Sequence, residues 1–463
     1  MLLPLFLAAI TLFRLIVGRY LPIIGDEAFY WLWSKHLDLS YVDHPPMIAY
    51  YIKSLTLIFG DTELAIRLGA IILVTLTSIL IYNIGKELFG KKAGLLALII
   101  FNLIPTFLAG SIFLVPQQPL ILFWALSMFI FIKIIRSGNK HLWYLLGLGV
   151  GLGLLSDYVM LLFFPAVGLY LLLNQNLRFW WKKAEPYLAA ILSFIIFSPV
   201  IIWNIRNGFT PLFYWSGKMG ATPNYLQNIL SFVSLEMLLY TPVVFILVVF
   251  LIIVLFREKD QNHLLLGCFC APVFLAFSLI SPLIMVGGHW PATAYLPAIV
   301  YLGQTKNKWL IYLTLFFALF VNIAGMAYYL FLYPIPKAMA GQELNINHKL
   351  PTYINKVTPQ EGKTFYFANN LGLAGLAEFH GKVKVFLAPG RLKQFDLWGK
   401  PNLQKGDNLV YFALNESELY DKLIPLFSQV KKETTPQIFT KDADVPSKTL
   451  IFICRDFKGG TLP

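Results

Sequence analysis

Charge is scarce in this 463-residue chain: 13% of its residues are Asp, Glu, Lys or Arg, and 57% are hydrophobic. Soluble domains carry roughly a quarter charged residues, so a freely soluble protein is excluded and a polytopic membrane protein is expected. Cysteine is nearly absent too. Of the three, Cys268 and Cys270 lie two apart in an apolar run, on different faces of a helix, and Cys454 stands alone. That excludes a disulfide framework and a cysteine metal motif. No glycine-rich phosphate loop of the Walker or dinucleotide type is present, which argues against soluble nucleotide as a direct donor. Internal repeats and low-complexity tracts are also lacking.

The formal charge of +13 would suit nucleic acid only on an accessible basic face. Instead the basic residues cluster in short loops. Apolar windows of about 20 residues place spans near 1–19, 64–85, 93–110, 112–132, 142–156, 158–175, 187–203, 232–256, 263–281, 291–304 and 309–333, about eleven in all. Counting from an inside N-terminus, the even-numbered loops hold Lys86, Lys91 and Lys92, then Lys133, Arg136 and Lys140, then Arg178, Lys182 and Lys183, then Arg257 and Lys259, then Lys306 and Lys308. The positive-inside rule makes these loops cytoplasmic. The odd-numbered loops hold Asp26, Glu27, Asp38, Asp43, Asp61, Glu63 and Asp157, and they face outside. No small-residue cleavage site follows the first segment and Arg14 interrupts it, so it reads as a retained span rather than a signal peptide.

After Tyr333-Pro334-Ile335-Pro336 the sequence turns charged and is punctuated by Gly and Pro. β-rich runs at 364–368, 382–387, 408–413 and 449–453 alternate with helical stretches at 371–380 and 416–427. The expected organisation is a membrane domain over 1–333, with a long first outer loop at 20–63, followed by a small α/β domain over 334–463 on the outer side.

The acids of that first loop are the best candidates for chemistry. An ionised carboxylate beside hydrocarbon is costly unless it is paired, hydrated or used, and Asp26-Glu27 follows the first span directly. Residues 28–37 and 47–59 suit helices lying in the membrane interface, with Trp31, Trp33, Tyr50 and Tyr51 burying rings and keeping polar tips wet. Such helices would hold Asp26, Glu27, Asp43 and His44 where a lipid-linked substrate presents its head group. Structural roles fit each residue alone: Asp26 as an N-cap, Glu27 as a solvated acid, Asp43 and His44 as turn residues before Pro45-Pro46.

The block Asp26-Glu27-Ala28-Phe29-Tyr30-Trp31-Leu32-Trp33, then Tyr41-Val42-Asp43-His44-Pro45-Pro46-Met47-Ile48-Ala49-Tyr50, then Phe59-Gly60 with Glu63, Ala65 and Arg67, resembles the opening of bacterial members of the dolichyl-phosphate-mannose protein mannosyltransferase superfamily. This superfamily includes the aminoarabinose and galacturonic acid transferases of lipid A and lipopolysaccharide core. The likeness continues at Leu155-Ser156-Asp157-Tyr158, Pro199 with Trp203-Asn204, and His289-Trp290-Pro291-Ala292. It implies a GT-C membrane fold with a small periplasmic domain, in a multi-pass protein of the bacterial inner membrane. The implied activity is inverting transfer of a sugar from a polyprenyl-phosphate carrier to lipid A or another envelope acceptor. A protein acceptor, a transporter and a noncatalytic glycan-binding relative are the alternatives.

The resemblance maps the family's catalytic aspartate onto Asp26, and a carboxylate there can take the proton of an attacking hydroxyl. The leaving polyprenyl phosphate calls for cations; Arg206, Lys218, Lys35, His44 and His289 are the outer-side candidates. Glu27, Tyr30, Asp43, Tyr158, Asn204 and Trp290 complete the expected substrate-binding set. Arg206 also suits a snorkelling anchor, and His289-Trp290 an aromatic-belt pair. Two departures stand out. Relatives often carry Pro-Asp-Ala-Pro-Leu where this chain has Pro116-Gln117-Gln118-Pro119-Leu120, and Leu-Ser-Lys-Tyr where it has Asp157. Asp157 is accordingly expected to replace part of the missing carboxylate beside Gln117 and Gln118. No spaced ligand set specifies a metal, so none is called for, and a divalent ion stays open. No nucleic-acid partner is expected, and the oligomeric state is left open.

Overall fold

The computed structural model describes residues 2–21, 23–211, 224–327, 354–387, 394–399, 401–414, 419–434 and 449–462. By contact the chain forms two compact units. One comprises Met1–Ile16, Asp38–Ile48 and Arg67–Gly325; the other comprises Val17–Leu37, Ala49–Ile66 and Met326–Pro463.

Fifteen helices precede the C-terminal region among the described residues, leaving aside short 3-10 turns. They are α1 (Leu2–Tyr20), α2 (Gly25–Lys35), α3 (Met47–Phe59), α4 (Glu63–Phe89), α5 (Lys91–Leu103), α6 (Pro105–Ala109), α7 (Gln117–Ser137), α8 (Leu142–Leu154), α9 (Phe163–Leu173), α10 (Glu185–Arg206), α11 (Tyr225–Tyr240), α12 (Pro242–Ile253), α13 (Gln261–Ile280), α14 (Ala292–Gln304) and α15 (Lys308–Ala327). Of these, α1, α4, α7, α10, α13 and α15 are long and apolar enough to cross a membrane, so the chain is multi-pass.

The remaining expected spans are shorter or broken. The run at 93–110 stops at Ile104, whose extended backbone precedes Pro105. The run at 232–256 is two helices bent by 113°. Thr241 at that bend takes a positive φ of 71° immediately before Pro242, so the chain cannot continue as one helix. In the first unit, α8 and α10 meet through small residues. A Cβ added to Gly147 would lie 2.6 Å from the Ala189 carbonyl oxygen, and Ser193 Oγ donates to the Gly147 carbonyl at 2.9 Å. Without a hydrophobic drive between helices in lipid, this close approach supplies much of the packing.

In the second unit, a five-stranded sheet runs in the order β2-β1-β3-β5-β4, where β1 is Thr364–Ala368, β2 Val385–Leu387, β3 Asn408–Leu414, β4 Phe427–Thr434 and β5 Thr449–Phe457. β1 pairs in parallel with β2 and β3, and β5 pairs antiparallel with β3 and β4. Alternation buries Phe365 and Phe367, Leu409 and Tyr411, and Phe452 and Cys454 on one face. The helix α16 (Leu371–Gly381) follows β1 after two residues and packs against β1 and β2; α17 (Gln394–Leu397) and α18 (Leu419–Leu423) are short.

Two sequence expectations change here. Of the helix expected at 416–427, residues 416–418 lie outside the described residues; 419–426 form α18 and a 3-10 turn, and from Phe427 the chain forms the edge strand β4. Lys431, Lys432 and Glu433 leave β4 without apolar alternation, which suits an edge that must not pair with other chains. Helix α2 is not a half-immersed interfacial helix, since Glu27 to Ser34 are all buried in protein. Helix α3 does keep an apolar exposed side at Leu57, Ile58 and Phe59. A Gly147→Val substitution should push α8 from α10 and destabilise the protein by about 1–3 kcal/mol, read as a lower melting temperature in detergent.

Candidate active site

The candidate residues fall into a group on each unit. In the second unit, α2 begins at Gly25 with Ile24 as its N-cap, so Asp26 and Glu27 are first-turn residues, where acids complement the helix dipole. Neither is the cap. Glu27 is fully buried and its Oε2 accepts from the Ile24 amide at 3.2 Å, satisfying an otherwise orphaned donor at the helix start. Asp26, one residue before, is exposed. The tandem acids therefore differ in environment: one holds the helix end, the other faces outward.

Tyr30 is buried edge-on to Trp33 with ring centroids 5.0 Å apart, which places it in the packing of α2. Lys35 is engaged at its own end of the helix. Its Nζ lies 2.5 Å from Asp61 and 5.0 Å from the Trp31 ring, and Trp31 Nε1 donates to the same carboxylate at 2.9 Å. Burial raises the pKa of Asp61, but the hydrogen bonds and charge of Lys35 with the Trp31 bond outweigh it, so the net shift is downward. The sequence offered Lys35 as a phosphate-binding cation; the fold uses it to tie α2 to the turn before α4.

In the first unit, the segment around Asp43-His44 is fixed on both sides. The Tyr41 amide donates to the His44 carbonyl at 3.3 Å, and the Met47 amide donates to the Leu155 carbonyl at 2.9 Å. Trp203 Nε1 donates to Asp38 at 2.8 Å, anchoring the start of this segment to α10. These bonds bring two distant parts of the sequence together: His44 Nδ1 lies 3.4 Å from Asp157 Oδ2. Asp157 is 6% exposed, and its other oxygen accepts from the Val159 amide at 2.9 Å, capping the 3-10 turn that starts at Tyr158. Ser40 and Asn204 lie beside the Tyr158 hydroxyl, and Asp43 and Asp157 contribute to its electrostatic surroundings.

His289 shares the electrostatic environment of this pair. The residue is exposed at its edge yet crowded by protein; desolvation, then the charge of His44, hold its pKa down against the opposing pull of Asp157. The loop carrying it is tight. A side chain on Gly287 would collide with the Trp290 ring and one on Gly288 with Leu235 and Leu239, so Gly287 lets the Trp290 ring lie against the loop and Gly288 lets the loop approach α11.

The other expected residues are placed as follows. Gln117 and Gln118 open α7 and are buried; Gln118 Oε1 accepts from the Val115 amide at 2.7 Å, the bond of a helix-start residue. Asn204 donates to the Val200 carbonyl within α10, and Arg206 is exposed in the last turn of that helix. Lys218 lies outside the described residues. Among the described residues no group of three His, Cys, Asp or Glu is placed to hold a metal ion.

Three buried polar residues were given no site role by the sequence. Arg67 donates to the Ile112 carbonyl at 3.0 Å and lies over the Phe113 ring, holding the loop before Gln117. Arg14 bonds Asn102. Glu236 is wholly buried in α11 beside Tyr295 of α14. A lone ionisable residue in an apolar run was the available signal for Arg14 and Glu236.

With this geometry in place, comparison with known proteins is specific. The family described as dolichyl-phosphate-mannose-protein mannosyltransferase matches residues 43–203. The lipid A galacturonosyltransferase RgtD of Rhizobium johnstonii is 25% identical over 313 residues, 65% of this chain and 64% of that protein. An undecaprenyl phosphate-alpha-4-amino-4-deoxy-L-arabinose arabinosyl transferase of Erwinia tasmaniensis is 25% identical over 40% of this chain and 35% of its own length. The matches thus span less than two thirds of these curated relatives. Crystal structures of ArnT from Cupriavidus metallidurans superpose across 97% of both chains, with a TM-score of 0.67 and 11% identity for the apo state, and 0.63 and 13% for the form bound to undecaprenyl phosphate. The chain is similar in sequence to these glycosyltransferases and shares the ArnT fold. The expected likeness to this family is borne out, and the ArnT fold match covers 97% of the chain.

The depressed His289 pKa fixes the sign of a pH effect. A histidine whose folded pKa lies below its unfolded value favours folding when neutral, so its contribution is complete above about pH 6.5 and is lost as pH falls below it. Replacing His289 with Gln should flatten the fall in melting temperature of the wild type below that pH, measured by thermal unfolding across a pH series.

Proposed function

We propose that this chain is an inverting membrane glycosyltransferase. It moves a sugar from a polyprenyl-phosphate carrier to lipid A, or to another lipopolysaccharide component, on the periplasmic side of the bacterial inner membrane. The observation that carries the reading is the first turn of α2, where Glu27 is consumed by the helix end and Asp26 is presented outward. The ArnT fold and the printed activities of the relatives support the same chemistry.

In this reading the acceptor hydroxyl attacks the anomeric carbon from the face opposite the carrier. Its proton passes to Asp26 as the new C–O bond forms and the bond to the carrier phosphate breaks. The departing polyprenyl phosphate is an anion stabilised by cations. Arg206, exposed at the end of α10, is available to it, whereas Lys35 is held by Asp61. Where the acceptor is a lipid phosphate, already ionised, Asp26 orients the attacking group instead. Asp157 keeps its proposed role as the acid of the altered pocket, and its contact with His44 supports one of orienting that imidazole.

The proposed topology has about eleven crossings, a cytoplasmic N-terminus, a membrane domain over 1–333 and a periplasmic domain over 334–463. The basic loops support it. A noncatalytic glycan-binding role is the second reading, favoured by Gln117 and Gln118 at the site where relatives carry an acid.

The test is transfer by purified protein from a polyprenyl-phosphate sugar. Asp26→Asn should lower kcat by at least about a hundredfold with donor still bound, and Asp157→Asn should lower it by a smaller factor. Donor binding without turnover by the wild type would favour the second reading. An unchanged Asp157→Asn beside an inactive Asp26→Asn would remove Asp157 from the chemistry.

A further inference from the structure

Helix α16 of the C-terminal region lies against α2 with no side chain between the two backbones over their first turns. A Cβ on Gly25 would sit 2.9 Å from the Gly372 Cα, and one on Gly372 would sit 2.9 Å from the Gly25 Cα. One turn on, a Cβ on Gly375 would sit 2.6 Å from the Ala28 carbonyl carbon and 2.7 Å from the Phe29 amide nitrogen. At those distances even one methyl group must displace backbone. The contact continues through Trp31 and Phe379, edge-on with centroids 4.9 Å apart, and is flanked by Phe29 against Phe395 and His36 against Trp398.

The other side of α16 is fixed by the sheet. It follows β1 after Asn369 and Asn370; the Asn369 amide donates to the Phe412 carbonyl of β3, and Asn370 Oδ1 caps the helix by accepting from Leu373. At its far end, His380 Nε2 lies 3.5 Å from Glu63, the first residue of α4. Thus α16 is held by the sheet on one side and touches both ends of the segment that runs from α2 to α4.

We propose that α16 is a positioning element for the reaction: through Gly372, Gly375 and Phe379 it sets the placement of the α2 first turn and hence of the Asp26 carboxylate. This rests on the proposed role of Asp26. It gives the C-terminal region a part in catalysis that requires no substrate contact of its own. A reacting group displaced by about 1 Å can lose roughly a hundredfold in rate, and a methyl forced between Gly375 and Ala28 demands a shift of that order.

The experiment uses the full chain in lipid nanodiscs, with a polyprenyl-phosphate sugar as donor and undecaprenyl phosphate as binding probe. Gly375→Ala should lower kcat by about a hundredfold while KM for the donor and affinity for undecaprenyl phosphate stay within twofold of wild type. Phe379→Ala, which opens space rather than closing it, should lower kcat by a smaller factor with the same split. Wild-type kcat in Gly375→Ala would overturn the proposal, and so would kcat and probe affinity falling together in both variants, since that marks general loss of structure. If Gly375→Ala fails to fold, Phe379→Ala decides by the same criterion. An active Asp26→Asn would sink the role of Asp26 itself, whatever the glycine variants do.

Discussion

The approach of two backbones, α2 at Gly25 and Ala28 against α16 at Gly372 and Gly375, is the constraint on which the proposed chemistry depends. It explains why an aromatic-rich helix next to a membrane span is buried in protein. With α16 so close, Phe29, Trp31 and Trp33 pack around the contact, and their burial drives the helix into place at about 1.5–3 kcal/mol per large side chain. What emerges from this packing is one outward carboxylate, Asp26, beside an inward one, Glu27, that satisfies the backbone.

The first unit carries its own polar arrangement. Asp157 is nearly buried, and an acid so placed is costly unless it has partners. The chain resolves this with His44 on one oxygen and the Val159 amide on the other.

Much of this was legible in the sequence, and the limits have physical reasons. The apolar windows identified the membrane class, and the β-rich runs at 364–368 and 408–413 matched β1 and β3, because both signals are local. The blocks at 41–50 and 155–158 carried a family likeness that the comparisons share. The edge strand β4 was missed because edges favour charge over alternation. The burial of α2 was missed because α16 lies more than 340 residues further along the chain, at Leu371–Gly381, and glycine spacing announces no partner. The His44–Asp157 contact was likewise invisible: two ordinary-looking residues are joined by the Met47–Leu155 backbone bond, which no window reveals.

The central claim is that Asp26 drives sugar transfer onto an envelope lipid. Mass spectrometry of lipid A from cells expressing the wild-type chain, the Asp26→Asn variant or neither tests it most directly. The account expects a mass increment of one sugar residue with the wild type alone. The same increment with Asp26→Asn, at equal protein level in the membrane, would contradict it.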